Sequence, residues 1–582
     1  MNEKLFEIEF CDGCDAVKNS SKVKKSDPRD TVLINSTIMC SKSFSGLLPF
    51  RCYSSFVVVK LMLYLTLFHS INGFNLDTDS RIELDGPNAG SYFGYTVAML
   101  NISDQNRWIL LGAPKDNSHF LPDADRPGAI YKCTFTSDFS SRSCEELFID
   151  DKTEGDSAQF NGKNRIFTHG RDGQWLGASL DVNKDAGIVT CANRWYNKQF
   201  EVAQIYYMNG LCYEIPLDFN KNNIKKIPGL VGLDKQTMTD PRTNITKLNY
   251  GMGALGSSVH YSSKGKDLLL GAPGLWYFTG GFIDLHLSDA LITENIKPPT
   301  ERNEMAGYAI TSGQYFGGDF IMFAIGAPRD HLTGKVFLYG SNRGEFILED
   351  PDLTLNGSEV IEIPVNGYFG ATLCTVDVNN DGLDDLLVAA PFYSKGEREE
   401  TGVVIVYLGQ NSMTFQPMTY TLTGSDSSGA RFGTAMASLG DINKDKYNDI
   451  VIGAPYEDDL RGAIYIYNGC KTGVWPHFSQ RIAAGSFRDE LRSFGFSFSK
   501  AVDMDNDEVN DIAVGAYLSD KAYILFGQSV INIEISLVPS VSQIDKDTTQ
   551  LCPSTSRTDV VPCFRANVCF YYSYRQFNTI GN

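Results

Sequence analysis

The sequence predicts an all-β protein whose main domain is a seven-bladed β-propeller over residues 74–530. Three observations support this fold class. A chain of 582 residues with 53 Gly, 36 Phe and 28 Tyr has the tight turns and packed aromatic side chains that are typical of β proteins. A pair of short markers recurs about every 62 residues. Between the markers lie apolar runs of four to seven residues bounded by Gly, Asn and Asp, and residues 93–530 show no helical period.

The first marker is a Phe-Gly or similar pair, and the second is a strand that ends in Gly-Ala-Pro or a variant. Phe369-Gly370, Phe432-Gly433 and Phe494-Gly495 stand 63 and 62 residues apart, and the upstream copies are weaker. Repeats of this length with several strands each indicate propeller blades, whereas a two-sheet sandwich would not produce so regular a period. The marker glycines are expected where backbones approach closely. The seven marker pairs lie at 93–94 and 111–114, 176–177 and 190–193, 255–256 and 270–273, 307 and 325–328, 369–370 and 388–391, 432–433 and 452–455, and 494–495 and 514–517.

Residues 1–73 are predicted to be a leader. The apolar run 56–68 is too short to cross a bilayer, which takes about 20 residues. Arg51 before this run and Gly73 after it fit a secretory signal peptide. We interpret residues 1–38 as a spurious extension ahead of a second candidate start codon. The segment 74–79, directly after the leader, is expected to supply a strand that closes the ring against the last blade.

Cysteine spacing and glycosylation motifs both fit a secreted chain. The short separations after the leader predict three local disulfides, Cys133–Cys144, Cys191–Cys212 and Cys552–Cys563. The thiols expected to stay free are those of Cys374, Cys470 and Cys569. The candidate N-glycosylation sites are Asn101, Asn244 and Asn356.

Three acidic loops share one pattern in repeats five, six and seven, in a chain whose net charge of −19 argues against nucleic acid as a partner. Oxygen-bearing side chains at loop positions 1, 3, 5 and 9, with a backbone carbonyl from position 7, suit Ca²⁺. In each loop the first Asp lies 12 residues before the first small residue of the Gly-Ala marker. We therefore predict three structural Ca²⁺ sites. Their ligands are Asp377, Asn379, Asp381, Leu383 and Asp385; Asp441, Asn443, Asp445, Tyr447 and Asp449; and Asp503, Asp505, Asp507, Val509 and Asp511.

Two details of these loops carry further expectations. Position 6 is Gly382 in repeat five but Lys446 and Glu508 in the other two loops, where the sharp turn is expected to be strained. A fourth acidic segment, 181–185, carries Val189 at position 9 and is therefore excluded as a calcium loop.

Residues 74–582 resemble the integrin alpha subunits, whose head is a seven-bladed FG-GAP propeller. The resemblance rests on FNLD at the start, NRWILLGAP in the first repeat, CANRW in the second, and GYFGATLCTVDVNNDGLDDLLVAAP and GAPYEDDLRGAIYIYNG further on. The last two segments, with FSQRI after them, are most similar to the alpha-four and alpha-nine branch. The spacing of repeats two and three leaves no room for an inserted I domain. Residues 531–582 resemble the first strands of the immunoglobulin-like thigh domain, so the chain is expected to be a fragment.

The resemblance implies the alpha head of a heterodimeric cell-adhesion receptor. Its partners would be an integrin beta subunit and an extracellular-matrix or cell-surface ligand whose acidic motif is held by a metal on the beta subunit. The aromatic ligand-binding loop of the family aligns with Trp276, Tyr277 and Phe278, although these rings could also simply pack between blades. Where relatives that bind Arg-Gly-Asp carry an acid, this chain has Leu285 with Asp284 beside it, which weakens the case for that motif.

The resemblance also implies a place in the cell and leaves two rival functions. The chain is expected on the extracellular side of a single-pass type I membrane protein, anchored only through a C-terminal part that this sequence lacks; this fragment alone would be secreted. A secreted phospholipase-like FG-GAP enzyme would need a catalytic domain with clustered His and Asp ligands, and seven scattered His argue against it. A soluble lectin-type propeller is the other alternative, disfavoured by the thigh-like tail.

Overall fold

A computed structural model of the chain describes residues 75–528, together with the backbone of short strands elsewhere. Within this range the gaps are 104–105, 137–138, 161–162, 201–205, 232–235, 240–243, 245, 263–266, 287–291, 294–302, 319, 342–350 and 488–489. The chain divides into two compact units, residues 74–530 with 577–582, and residues 1–73 with 531–576. The predicted signal-peptide core at 56–68 lies outside the described residues.

The described part of the larger unit contains seven four-stranded antiparallel sheets, as the seven repeats predict. Each sheet is one blade, and in blades one to six the strands follow one another along the chain and across the sheet. The strands of blades one to four are Thr96–Ser103, Asn106–Ala113, Ala129–Phe135 and Arg142–Glu146; Leu176–Asn183, Gly187–Ala192, Leu211–Ile215 and Lys225–Ile227; Val259–Tyr261, Asp267–Gly271, Phe282–His286 and Ile292–Thr293; and Ala309–Gly313, Met322–Ala327, Lys335–Gly340 and Leu353–Leu355.

Blades five and six follow the same order, whereas the fourth strand of blade seven comes from the N-terminal end of the propeller sequence. The strands of blades five to seven are Thr372–Val376, Asp385–Ala390, Val403–Leu408 and Gln416–Pro417; Ala435–Gly440, Asp449–Ala454, Ala463–Tyr467 and Gln480–Ala483; and Ser497–Phe498, Ile512–Ala516, Lys521–Gly527 and Leu76–Asp85. The first strand of each blade contacts the first strand of the next, and the first strand of blade seven contacts that of blade one. The blades therefore form a closed ring, which is the architecture of a β-propeller.

The N-terminal strand closes this ring. Leu76–Asp85 pairs antiparallel with Lys521–Gly527 as the fourth strand of blade seven, which confirms the closing strand predicted for segment 74–79. The Leu76 backbone is also held by blade six, because its N–H donates to the Gln480 side chain at 3.1 Å and its carbonyl accepts from the same amide at 2.9 Å. The two ends of the propeller sequence are thus joined by a hydrogen-bonded sheet.

Marker glycines make the contacts between neighbouring blades. A Cβ added to Gly515, in the second strand of blade seven, would lie 2.0 Å from the carbonyl oxygen of Gly94 in blade one. That carbonyl also accepts a hydrogen bond of 2.9 Å from the Ser497 hydroxyl. The same glycine-to-carbonyl approach, at 2.0–2.2 Å from an added Cβ, occurs at Gly112, Gly271, Gly326 and Gly453. The expectation that these glycines permit close backbone approach is therefore confirmed.

The aromatic residue of the first marker lies in the core of its own blade. Phe93, Phe369, Phe432 and Phe494 are fully buried. Each packs against a tyrosine of the third strand, and the ring of Phe432 meets that of Tyr465 edge to face with centroids 5.4 Å apart. Such pairs add about 0.5–1.5 kcal/mol beyond the area that they bury. The corresponding pairs in the other three blades are Phe93–Tyr131, Phe369–Tyr407 and Phe494–Tyr523.

Short helical turns and small additional sheets lie outside the seven blade sheets. The described part of this unit has two helical turns, Leu275–Phe278 and Glu457–Leu460, and 3-10 turns at Lys198–Phe200, Lys221–Asn223, Asp330–Leu332, Gly357–Glu359, Ala484–Ser486 and Tyr517–Ser519. In one additional sheet, Lys163–Gly170 lies between Gly155–Phe160 and Tyr196–Asn197 and pairs with both. Two further short sheets pair Thr237–Thr239 with Thr246–Leu248, and Gly469–Cys470 with Gly473–Val474. Among the described residues, no helix is long and apolar enough to span a membrane.

The smaller unit is all β where it is described. Asn532–Pro539 pairs antiparallel with Phe564–Ser573, which also pairs in parallel with Phe6–Phe10. A separate hairpin joins Leu551–Pro553 to Val560–Pro562. The predicted assignment of 531–582 to a truncated thigh domain, and of 1–73 to a leader, stays a prediction.

The contact between blades seven and one yields a test of the ring. Gly515→Ala is expected to lower the free energy of unfolding by about 1–3 kcal/mol, because the added methyl group meets a backbone carbonyl that cannot move without separating the blades. Gly155→Ala is the matched control, since an added Cβ there meets open space. Unfolding of the two variants and the wild-type chain is followed by thermal denaturation. Equal midpoints for all three would contradict the close blade contact.

Candidate functional site

The three predicted calcium loops lie together at one end of the propeller. Within each blade the first strand starts beside its Phe-Gly marker and the second strand ends at its Gly-Ala marker, so both markers lie at one end, which we call the marker end. The connection between the first and second strands lies at the opposite end, which we call the loop end. The acidic segments 377–384, 441–448 and 503–510 lie in these connections in blades five, six and seven.

The three loops have the same hydrogen bonds. In blade five, the carboxylate of Asp377 at position 1 accepts the N–H groups of Asp381 and Gly382 at 3.2 and 3.0 Å. The carboxylate of Asp381 accepts the N–H of Leu383 at 2.9 Å. Equivalent bonds join Asp445 and Lys446 to Asp441, Tyr447 to Asp445, Asp507 and Glu508 to Asp503, and Val509 to Asp507. Each loop therefore wraps its backbone around a group of carboxylates.

The aspartate at position 9 anchors each loop to its blade. Asp385 is fully buried at the start of the second strand, and its two oxygens accept N–H groups from Val378 of the loop and Gly409 after the third strand, both at 2.9 Å. Asp449 and Asp511 are buried and bonded in the same way. Burial and the neighbouring carboxylates raise the pKa of Asp385 to about 7. The same causes raise the pKa of Asp449 and that of Asp511 to about 8.

The carboxylates of these loops fit a bound cation. In blade seven, ligand oxygens of Asp503, Asp505 and Asp511 all lie within 4.8 Å of one another. Burial and the charge of Asp507 raise the pKa of Asp505 to about 6, so ionising the whole group without a cation is unfavourable. A divalent cation removes this repulsion, and a set of oxygen donors suits a hard ion.

The backbone of the loops carries the strain that the sequence predicts. Position 6 has a left-handed φ in all three loops, 87° at Gly382, 84° at Lys446 and 68° at Glu508. A residue with a Cβ costs about 1–2 kcal/mol in that region. Two of the three loops therefore keep a strained conformation in order to place their carboxylates.

The excluded acidic segment at 181–185 is built differently. One carboxylate oxygen of Asp181 lies 2.6 Å from the Lys500 ammonium group, and the other accepts the Tyr261 N–H at 2.8 Å. The charge of Asp181 is thus neutralised by a lysine. Asp181 itself lies within the first strand of blade two and pairs with Val189 of the second, so these contacts hold that strand in place.

A cluster of aromatic side chains covers part of the marker end, and the sequence patterns did not reveal it. Tyr92 meets Tyr517 edge to face with ring centroids 4.9 Å apart, and Tyr95 packs against Trp175 and Phe496 at 5.9 and 5.0 Å. We call these five residues the aromatic cluster. Lys115 lies 3.8 Å above the Tyr92 ring, and Arg194 lies 5.1 Å from that of Trp175, so cations border the cluster.

Further aromatic residues extend the aromatic cluster across blades four to six. We call the cluster together with these residues the aromatic surface. Tyr308 packs against Tyr368, which packs against Phe392, and Arg431 lies between the rings of Phe392 and Tyr456 at 4.6 and 5.0 Å. Tyr308 is 41% exposed and the others are partly exposed. All of these residues stand within two positions of a marker, so aromatic residues flanking the markers were the signal that could have predicted this surface.

The three predicted ligand-binding aromatics form one strained turn at the marker end. Trp276, Tyr277 and Phe278 have left-handed φ values of 51°, 61° and 66°. Tyr277 is 48% exposed, whereas Trp276 packs against the core and faces Tyr250 edge to face with centroids 6.5 Å apart. The turn Glu457–Leu460 in blade six has the same left-handed backbone. Exposure therefore favours Tyr277 as a contact residue and gives Trp276 a packing role.

The remaining predicted positions are partly described. Disulfides join Cys133 to Cys144 and Cys191 to Cys212, across neighbouring strands with Cα atoms 4.0 Å apart in both, while Cys374 and Cys470 are free thiols. Cys563 and the side chains of Cys552 and Cys569 lie outside the described residues. Asn244 is exposed, and Asn356 caps the turn that follows it. The amide nitrogen of Asn101 donates to the Asp503 carbonyl at 2.7 Å, a bond that competes with glycosylation there.

Comparison with known proteins agrees with the fold. The FG-GAP repeat family matches residues 369–407 and 432–467. Integrin alpha-4 of Xenopus laevis is 33% identical over 521 residues, which are 88% of this chain and 47% of the relative. Integrin alpha-8 of Gallus gallus is 29% identical over 530 residues, and integrin alpha pat-2 of Caenorhabditis elegans is 28% identical over 547 residues; both alignments cover 88% of this chain, with 48% and 41% of the relatives.

The seven blades and the matched repeats define an FG-GAP β-propeller. The chain spans about half the length of the curated relatives that it matches. It is a homologue of the integrin alpha subunits, as the sequence motifs indicated.

The aromatic turn yields a test that needs no ligand. Trp276→Ala is expected to destabilise the propeller by roughly 2 kcal/mol or more, since full truncation of a buried Trp costs about 3–5 kcal/mol and Trp276 is partly buried. Tyr277→Ala is the matched control and is expected to unfold like the wild-type chain, because its ring is half exposed. Thermal denaturation and secreted yield measure both. A larger loss for Tyr277→Ala than for Trp276→Ala would reverse the two roles.

Proposed function

We propose that this chain forms the head of the alpha subunit of a heterodimeric integrin adhesion receptor. The aromatic surface at the marker end carries this proposal, because it is the part of the described propeller where partly exposed rings gather over several blades. The homology to integrin alpha subunits supports it. In this proposal residues 74–530 are the propeller, residues 531–582 begin the thigh domain, and residues 1–73 are a leader that directs the chain to the cell surface.

We further propose that the aromatic surface binds the beta subunit. Aromatic residues and Arg are enriched in the buried centres of protein interfaces, and a few of them supply most of the binding energy. The marker end presents Trp175, Tyr308 and Tyr517 in reach of a partner, with Lys115 and Arg431 against neighbouring rings. Ring faces that remain open can receive an apolar or cationic anchor from the beta subunit.

The ligand would bind beside the same surface. We propose that the turn of Trp276, Tyr277 and Phe278 contacts an extracellular-matrix or cell-surface protein, with its acidic motif held by the beta subunit. The exposed ring of Tyr277 supports this role. Asp284 is fully buried and Leu285 is nearly so, which argues against recognition of a ligand arginine at that position. A receptor role, rather than a hydrolase or a lectin, is the reading that the integrin relatives support.

We also propose that the three acidic loops bind Ca²⁺ and that these ions are structural. The ligands would be the residues at positions 1, 3, 5, 7 and 9, from Asp377 to Asp385, from Asp441 to Asp449, and from Asp503 to Asp511. The loops lie at the loop end, away from the aromatic surface, and the position-9 aspartates tie them to the second and third strands. Bound ions would therefore stiffen blades five to seven.

The beta-subunit proposal is tested by co-expressing the chain with candidate beta subunits and capturing the complex. Trp175→Ala and Tyr308→Ala are each expected to weaken association by about thirtyfold, corresponding to roughly 2 kcal/mol for an interface anchor. Trp475→Ala is the control, since that Trp is 56% exposed but lies at the loop end. Tyr277→Ala should leave association intact while lowering adhesion to a panel of matrix and cell-surface proteins. Unchanged association for both marker-end variants would refute the docking surface.

The calcium proposal is tested by chelation. Removing divalent cations is expected to lower the melting temperature of the chain, because saturation at 100 times the Kd stabilises the folded state by about 2.7 kcal/mol per site. Asp445→Ala should reduce the calcium-dependent part of this shift, since it removes a ligand of the blade-six loop. Asp185→Ala, in the excluded segment, should leave the shift unchanged. A melting temperature that does not respond to Ca²⁺ would overturn the assignment.

A further inference from the structure

Blade three contains a group of two carboxylates and an imidazole that none of the preceding roles uses. Asp267 begins the second strand and His286 ends the third, and the two residues face each other in the strand register. Asp284 stands two positions before His286, on the same face of the sheet. One ligand atom from each of the three side chains lies within 4.8 Å of the others.

The carboxylate of Asp284 is completely buried, and the described residues provide no hydrogen-bond donor for it. The residue is 0% exposed, and neither of its oxygens accepts a hydrogen bond from the described part of the chain. The His286 ring lies beside it, with Nε2 3.4 Å from Oδ2. The other ring nitrogen contacts the Asp267 carboxylate. Burying a carboxylate without donors is costly unless a positive charge compensates it.

Comparison of the blades shows that complete burial of a charged side chain at this position is particular to blade three. Blades one and two carry partly exposed charged residues at the same register, Lys132 and Glu214. In blades four to seven the residue there is a buried aliphatic, Leu338, Val406, Ile466 or Ile524. A packing role alone would be met by such a side chain. The acid in blade three therefore calls for a different explanation.

Asp267 occupies the place of the position-9 aspartates. It starts the second strand of blade three, as Asp385 and Asp449 do in their blades. The connection before it, however, is Ser-Ser-Lys-Gly-Lys at 262–266 and contains no carboxylate. Blade three thus keeps one acid of the loop pattern and adds Asp284 and His286 from the third strand.

We propose that Asp267, Asp284 and His286 bind a divalent transition-metal ion of the Zn²⁺ type. Two carboxylates and one imidazole are a ligand set that suits Zn²⁺, with the remaining positions filled by water, whereas Ca²⁺ prefers oxygen donors only. The ion supplies the positive charge that the buried carboxylate lacks. The side chain of His286 is 26% exposed, which leaves the site open to solvent on one side.

The experiment uses the full chain, purified, stripped of metals, and held in excess Ca²⁺ to fill the acidic loops. Titration with Zn²⁺ is expected to show one equivalent that Ca²⁺ does not displace, and Co²⁺ in its place should give a visible absorption band. Asp284→Val introduces the residue type that blades four to seven have at this register, so it should fold, yet bind Zn²⁺ more than about tenfold more weakly. Even loss of an outer-shell partner costs about 10–100-fold in metal affinity.

Two further variants make the result decisive. His286→Gln removes the nitrogen ligand from a partly exposed position and should also weaken Zn²⁺ binding by more than about tenfold. Asp445→Asn alters a calcium loop and should leave Zn²⁺ binding unchanged. If the wild-type chain binds no equivalent of Zn²⁺, or if Asp284→Val and His286→Gln bind it as the wild type does, the site is refuted and Asp284 is a neutral buried acid. The measurement involves neither a beta subunit nor an adhesion ligand.

Discussion

The propeller depends on a close contact at a glycine across each blade boundary, and at five of the seven boundaries one glycine meets the carbonyl of another. Where Gly515 meets Gly94, the backbones are so close that a methyl group cannot fit between them, and the Ser497 hydroxyl fixes the same carbonyl. The two exceptions follow the same logic, because Cys191 and Ala389 stand at the glycine position and face glycines of the next blade, Gly256 and Gly433. Because neighbouring blades share this contact, their spacing is set by backbone atoms and is largely independent of side-chain size.

This constraint separates the two ends of the molecule. At the marker end the backbone beside each Phe-Gly pair turns through a left-handed residue, such as Tyr92 or Trp175, each with φ of 62°, and the side chain there is free to vary without disturbing the blade. At the loop end the connections are free to differ in length and charge. Blades five to seven use theirs for acidic loops, whereas blade three places its acids on the strands themselves.

The repeats made the propeller, its closing strand and the strained loop positions predictable, because glycine, small residues and carboxylates recur in one order along the chain. Aromatic residues beside the markers were a signal for the aromatic surface, but the contacts among Tyr95, Trp175 and Phe496 could not be predicted, since these residues come from three blades and become neighbours only when the ring closes. The different roles of Trp276 and Tyr277 could be assigned only from the fold, because these adjacent aromatic residues differ in burial. Asp284 could be recognised as unusual only from the strand register, which gives it the same position in its blade as Val406 and Ile466 have in theirs.

Closure by the N-terminal strand has a consequence for how the protein is made. Leu76–Asp85 leaves the ribosome long before its partner Lys521–Gly527 has been synthesised, and at about 5–20 residues per second the intervening chain takes roughly 20–90 s. During that interval the strand presents unpaired backbone groups, which are a template for association with other chains. A cell that makes this protein therefore has to shield one edge of an unfinished ring until translation reaches the last blade.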